Sequence, residues 1–242
     1  MTTTHDLPTP SLLLDLDILE RNLVRMAERA RTLGVALRPH IKTHKSIEIG
    51  ERQRALGARG ITVATLAEAR AFADHGFDDV TWALPVVLSR LDDVCDLAER
   101  VTLRLVVDSQ AAVTALHALG VPLHLWLEVD CGDHRAGVRP DASLAFDLAR
   151  TIHTSTTLTF DGLLTHSGHA YRTPGRAALA HVAAQERDVM VGLAERLRSA
   201  GVPVDGVSVG STPAMSAAED LTGVTEARPG NYVFHDYTQV LL

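Results

Sequence analysis

Two lysines, two histidines and an arginine crowd into eight residues, Arg38-Pro39-His40-Ile41-Lys42-Thr43-His44-Lys45. The spacing and apolar start of this stretch predict a short strand over 37–41 that delivers Lys42 at its carboxyl end. Neighbouring positive charge and burial both disfavour an ammonium and lower its pKa. The free amine that remains can attack a carbonyl, which is what a Schiff-base lysine must do. The plainer alternative is a basic surface loop.

Four further polar clusters follow at strand ends. Glu128-Val129-Asp130-Cys131-Gly132-Asp133-His134-Arg135-Ala136-Gly137-Val138 holds Arg135 in a glycine-flanked turn. Its guanidinium suits a phenolate, a carboxylate or a ring nitrogen, or a salt bridge with Glu128, Asp130 or Asp133. His166-Ser167-Gly168-His169-Ala170-Tyr171 offers His166 as a ring contact or acid–base group and Tyr171 as a phenolic donor. Val209-Gly210-Ser211-Thr212-Pro213 reads as a phosphate cup, in which backbone N–H groups of Gly210, Ser211 and Thr212 converge on an anion. Arg228-Pro229-Gly230-Asn231-Tyr232 closes the set. A zinc site of Cys131, His134, His166 and His169 is the metal alternative, but its spacing matches no closed structural pattern.

The elements that must position these groups alternate along the chain. Strands are predicted over 37–41, 61–64, 80–84, 103–107, 123–129, 160–165, 206–209 and 224–227. Amphipathic helices are predicted over 18–33, 46–56, 66–75, 89–100, 110–119, 141–154 and 174–200, several ending at a glycine such as Gly34, Gly57, Gly76, Gly120 or Gly201. Eight strands alternating with helices imply a parallel sheet closed into a (β/α)8 TIM barrel, whose active site lies at the carboxyl ends of the strands. An open dinucleotide-binding sheet is the alternative, but no Gly-x-Gly-x-x-Gly follows the first strand. Ser11–Asp15 reads as a strand-like segment outside the barrel. Residues 17–242 are expected to form the barrel, and residues 1–16 to pair with a second β-rich region, a β-domain, or with a partner chain that covers this edge.

Composition bounds the function. The 242 residues are 46% hydrophobic and 22% charged, enough for a sizeable core, and the formal charge of −7 argues against a general nucleic-acid binder. No apolar run is long enough to span a membrane and no signal peptide opens the chain. Cys95 and Cys131 form no disulfide framework. The expectation is a cytoplasmic protein acting on a small molecule.

Taken together, the motifs resemble the D-serine dehydratase and D-threonine aldolase family, whose barrel is the alanine racemase N-terminal domain type. The resemblance is carried by residues 38–45, 128–138, 166–171, Ser-Val-Gly-Ser-Thr-Pro at 208–213 and Arg-Pro-Gly-Asn-Tyr-Val-Phe at 228–234, in order along the whole chain. It implies pyridoxal phosphate as cofactor, with Lys42 as the Schiff-base lysine and Lys45 as electrostatic support. It further implies Gly210, Ser211 and Thr212 as the phosphate turn, Tyr171 and Asn231 beside it, and Arg135 and His166 along the cofactor ring. Family members are homodimers and continue into a β-domain that binds a divalent metal, zinc or manganese, so the metal ligands are expected outside this chain. The implied activity is a lyase on D-hydroxyamino acids. The 208–213 motif is closer to the dehydratase branch; an aldolase, a racemase and a cofactor-carrying barrel without turnover are the alternatives.

Overall fold

The computed structural model describes residues 3–236. Eight strands alternate with eight helices: β1 (Ala36–Leu37), β2 (Ile61–Val63), β3 (Asp79–Pro85), β4 (Thr102–Val107), β5 (Leu123–Glu128), β6 (Leu158–Leu164), β7 (Gly206–Val209) and β8 (Glu226–Ala227). The helices are α1 (Leu16–Thr32), α2 (Ile47–Ala55), α3 (Leu66–Ala73), α4 (Leu91–Ala98), α5 (Gln110–Ala118), α6 (Ser143–His153), α7 (Arg176–Ser199) and α8 (Thr212–Ala217). The strands form one parallel sheet in the order β1-β8-β7-β6-β5-β4-β3-β2. Its two ends meet through a parallel bridge between His40 and Thr62, where the Thr62 N–H donates to Pro39 O at 2.9 Å. This is the expected (β/α)8 barrel.

Local chemistry explains most element boundaries. Asp15, Ser46, Thr65 and Ser109 accept from backbone N–H groups at the starts of α1, α2, α3 and α5, satisfying donors that the first helical turn leaves orphaned. Gly57 and Gly201, with φ of 97° and 83°, follow the ends of α2 and α7, as the sequence predicts.

Three expectations need correction. The first strand stops at Leu37, because Pro39 cannot donate to a ladder and Ile41–Thr43 coils into a 3-10 turn. Lys42 therefore rides on that turn. The helix α8 was not expected; Ser211 caps it and Pro213 occupies its first turn, a start signal that the phosphate-cup reading obscured. Ser11–Asp15 forms no strand, and Leu12, Leu13 and Leu14 are exposed.

Alternation along the strands builds the barrel interior in layers. On β5, Leu123, Leu125 and Leu127 are buried in the main core beneath the helices. His124, Trp126 and Glu128 form the opposite face. His124 Nδ1 lies 2.8 Å from Asp161, Trp126 packs with Val106 and Leu164, and Glu128 reaches the mouth. Gly206 leaves room for the indole: a Cβ there would stand 2.3 Å from the Trp126 ring. The floor is ionic. Arg38, only 1% exposed, donates from Nε to Glu226 at 2.9 Å and from its fork to Asp79, which also binds Arg104. Within this floor Arg38, Arg104, Asp79 and Glu226 each meet an opposite charge, as burial requires.

Candidate active site

The carboxyl ends of the strands surround a cleft into which seven of the eight predicted site residues project: Lys42, Arg135, His166, Tyr171, Gly210, Ser211 and Asn231. Thr212, fully buried, stands just behind it. Its hydroxyl accepts from the Tyr232 N–H at 3.1 Å, and the Tyr171 hydroxyl lies within hydrogen-bonding reach of it.

The 3-10 turn that carries Lys42 is held from both sides. His40 Nδ1 accepts from the Lys42 N–H at 3.4 Å, and the Thr43 hydroxyl donates to Asn231 Oδ1 at 2.8 Å. The His40 N–H donates to Pro229 O at 3.1 Å. Gly230 makes this approach possible, because a Cβ there would stand 2.7 Å from the His40 carbonyl oxygen.

Lys42 keeps some exposure at the open mouth, yet surrounding protein lowers its pKa by desolvation first and then by repulsion from Arg135 and Arg228. The source of the positive charge is thus not the one that the local sequence suggests. Burial pushes His40 well below its ordinary range, His44 to about 4 and His166 to about 3, so these imidazoles are neutral at pH 7. Lys45 is exposed and pairs with Glu68 at 3.1 Å, and it is not among the charges acting on Lys42. Its expected supporting role is replaced by two arginines from distant strand ends.

Arg228 was not singled out for a role, although its motif was. It is 5% exposed, donates to Ser208 Oγ and to Thr165 O, and projects into the cleft. Ser208 in turn donates to Glu226 at 2.6 Å, so Arg228 stands on the ionic floor. Glu128 was read only as a salt-bridge partner for Arg135. Neither it nor Asp130 nor Asp133 pairs with Arg135 among the described residues: Asp130 binds His134 at 2.7 Å and Asp133 binds Arg172 at 3.2 Å. Glu128 Oε2 is buried without a hydrogen-bond partner, and desolvation raises its pKa to about 7. Its place at the inward end of β5 was readable from strand alternation.

The same cleft is lined by a set of backbone donors. Among the described residues, the N–H groups of Ser211, Gly230 and Asn231 have no acceptor. Two details differ from expectation. The Gly210 N–H turns away and donates to Glu186 Oε1 at 3.1 Å. The Asn231 side chain is occupied by Thr43 and, at 3.3 Å, by Asp236, so its backbone is what it offers to an anion. The zinc alternative fails on geometry. No group of three His, Cys, Asp or Glu side chains among the described residues stands close enough to hold a metal. Cys131 is buried with its thiol pushed up to about 12, and His134 is turned to Asp130. What the cleft does offer is a lysine amine with a lowered pKa, two arginine guanidiniums and a set of backbone donors.

Comparison with known proteins agrees with this geometry. D-threo-3-hydroxyaspartate dehydratase of Delftia sp. (strain HT23) is 44% identical over 240 residues, covering 97% of this chain and 63% of that protein. D-serine dehydratase of Dictyostelium discoideum is 34% identical, covering 97% of this chain and 65% of the other. The crystallised Delftia enzyme superposes with a TM-score of 0.94 at 42% identity, over 97% of this chain and 63% of its own. The chain thus spans about 63–65% of the length of these relatives. No described helix is long and apolar enough to cross a membrane. The family model of the alanine racemase N-terminal domain matches residues 14–238, and the chain belongs to that family.

Proposed function

We propose that this chain is the pyridoxal-phosphate-binding barrel of a lyase acting on D-hydroxyamino acids, with dehydration as its reaction. One observation carries the reading: Lys42, whose pKa is lowered by the surrounding protein and two arginines, shares a cleft with Arg135, Arg228 and the backbone N–H groups of Ser211, Gly230 and Asn231. An aldehyde and a phosphate on one molecule match those two features. The relatives named as dehydratases of D-serine and D-threo-3-hydroxyaspartate support the substrate class.

The residues fit the cofactor. Lys42 Nζ would attach it, the N–H groups of Ser211, Gly230 and Asn231 would hold the phosphate, with Thr212 and Tyr171 behind the cup, and Arg135 and His166 would line the ring. When bound, pyridoxal phosphate supplies an electron sink for the bond broken at the substrate α-carbon. Lys42 Nζ would be the base placed to take the substrate α-proton. A lowered pKa suits that task because it keeps the amine unprotonated nearer neutral pH. Arg135 and Arg228 offset the negative charge of cofactor and substrate. Glu128, with a pKa near 7, holds a proton within the same cleft. The zinc or manganese ion that the resemblance implies finds no ligand set among the described residues. A homodimer in a reducing cytoplasm completes the reading.

The test is spectroscopic. Protein loaded with pyridoxal phosphate is titrated with the D and L enantiomers of serine, threonine and 3-hydroxyaspartate, and 2-oxo acids, glycine and racemised alanine are assayed. The visible band is expected to shift with D enantiomers and 2-oxo acids to form. Glycine release would reassign the reaction to an aldolase, racemised alanine to a racemase, and a band that shifts without product to a carrier. Equal response to L enantiomers would overturn the substrate class.

A further inference from the structure

Glu186 lies in α7, is 2% exposed and does not line the cleft. A carboxyl group buried in this way is costly unless hydrogen bonds compensate it. Its compensation comes from the site. Oε1 accepts the Gly210 N–H at 3.1 Å, and the Ser167 backbone and hydroxyl also hydrogen-bond the carboxyl. Ser167 Oγ stands 3.3 Å from Ser211 Oγ. One helix residue therefore ties together the loop after β6, which carries His166, and the turn after β7, which carries Ser211.

Packing alone does not hold that turn. Gly210 has φ of 101°, and a Cβ there would meet nothing nearer than Ala227 Cβ at 3.4 Å. In this left-handed turn the Gly210 N–H points to Glu186 Oε1. A carboxyl directly behind an anion cup is electrostatically adverse, yet burial raises its pKa and Arg228 opposes its charge.

The geometry points to Glu186 as a positioning residue for the phosphate group of the cofactor. By taking the Gly210 N–H it sets the turn, so that the Ser211 N–H is left for the anion. This rests on the cofactor reading above. Because it concerns only the phosphate, it separates from any general role in folding.

The experiment titrates the full apo chain with pyridoxal phosphate and, in parallel, with pyridoxal, which has the aldehyde but no phosphate, following the absorbance of the lysine-bound form. Wild type is expected to prefer pyridoxal phosphate. E186A is expected to lose about tenfold in affinity for pyridoxal phosphate while pyridoxal stays within about twofold. E186Q keeps an oxygen for the Gly210 N–H and is expected to stay near wild type. E186D, which withdraws the carboxyl by one methylene and retains its charge, is expected to show the same phosphate-selective loss, and it carries the test if E186A does not fold. Equal losses for both ligands, or an unchanged ratio in a folded E186A or E186D, would overturn the assignment. Wild type that binds neither ligand would refute the cofactor reading itself and remove this inference with it.

Discussion

The Thr43 hydroxyl donates to Asn231 Oδ1 at 2.8 Å and so joins the turn carrying Lys42 to the turn supplying the anion cup. These residues lie 188 positions apart in the chain. This side-chain bond reinforces the His40 N–H to Pro229 O backbone bond across the seam between β1 and β8 in setting the distance between amine and cup. Thr43→Val removes the donor, leaves Asn231 Oδ1 short of a partner and should cost roughly 1 kcal/mol. Calorimetry should show Tm lower by a few degrees and titration a weaker hold on pyridoxal phosphate, while Thr43→Ser retains both. An unaltered affinity in T43V would show that the two turns are positioned independently.

The two lysines of the motif should behave differently. Lys42→Ala is expected to abolish the visible band of protein mixed with pyridoxal phosphate. Lys45→Ala should largely keep it, because Lys45 is exposed and acts on Lys42 only indirectly, through Glu68, whose charge is a weaker influence on Lys42 than burial and the two arginines. Equal loss in both variants would show that the nucleophile is wrongly assigned.

Arg135 lowers the Lys42 pKa by repulsion, so Arg135→Met should raise it. At a fixed pH near neutrality less free amine then remains, about tenfold less for each unit of upward shift. The pH dependence of reductive trapping of pyridoxal phosphate onto Lys42 reads this directly. The midpoint should move to higher pH in R135M and stay put in Lys45→Met. A midpoint that falls would contradict the electrostatic account.

Glu128 gives the folded protein a pH signature. Its pKa rises from the ordinary carboxyl value of 4.5 to about 7 through desolvation. Between those values the folded state binds more proton than the unfolded chain, so this group's contribution is fully present below about 4.5 and is lost as pH rises to 7. Glu128→Gln removes the titration. Urea denaturation at pH 8 should show E128Q more stable than wild type by roughly 2–3 kcal/mol, with the difference gone near pH 4. A difference independent of pH would point to packing instead of charge.

The alternation of apolar and helical segments was enough to identify the barrel, because each β/α unit is built from local periodicity and capped by local residues such as Ser46 and Gly57. The barrel rule then placed Lys42, Arg135, His166 and Ser211 at one end, since strand ends are readable and the rule needs only chain direction. Charge was not readable in the same way. The sequence presents His40, His44 and Lys45 as the cations around Lys42, but burial neutralises the histidines and Lys45 turns outward to Glu68. Arg228 replaces them through a side chain anchored on Ser208 and Thr165. Glu186 is the extreme case. Within α7 it resembles any acidic residue on a solvated helix, and only the docking of that helix against the turn after β7 buries it beneath Gly210. Residue type and spacing determined which groups reach the barrel mouth. Desolvation and long-range pairing, which exist only once the chain has closed, decided their charge states and the direction in which each backbone donor points.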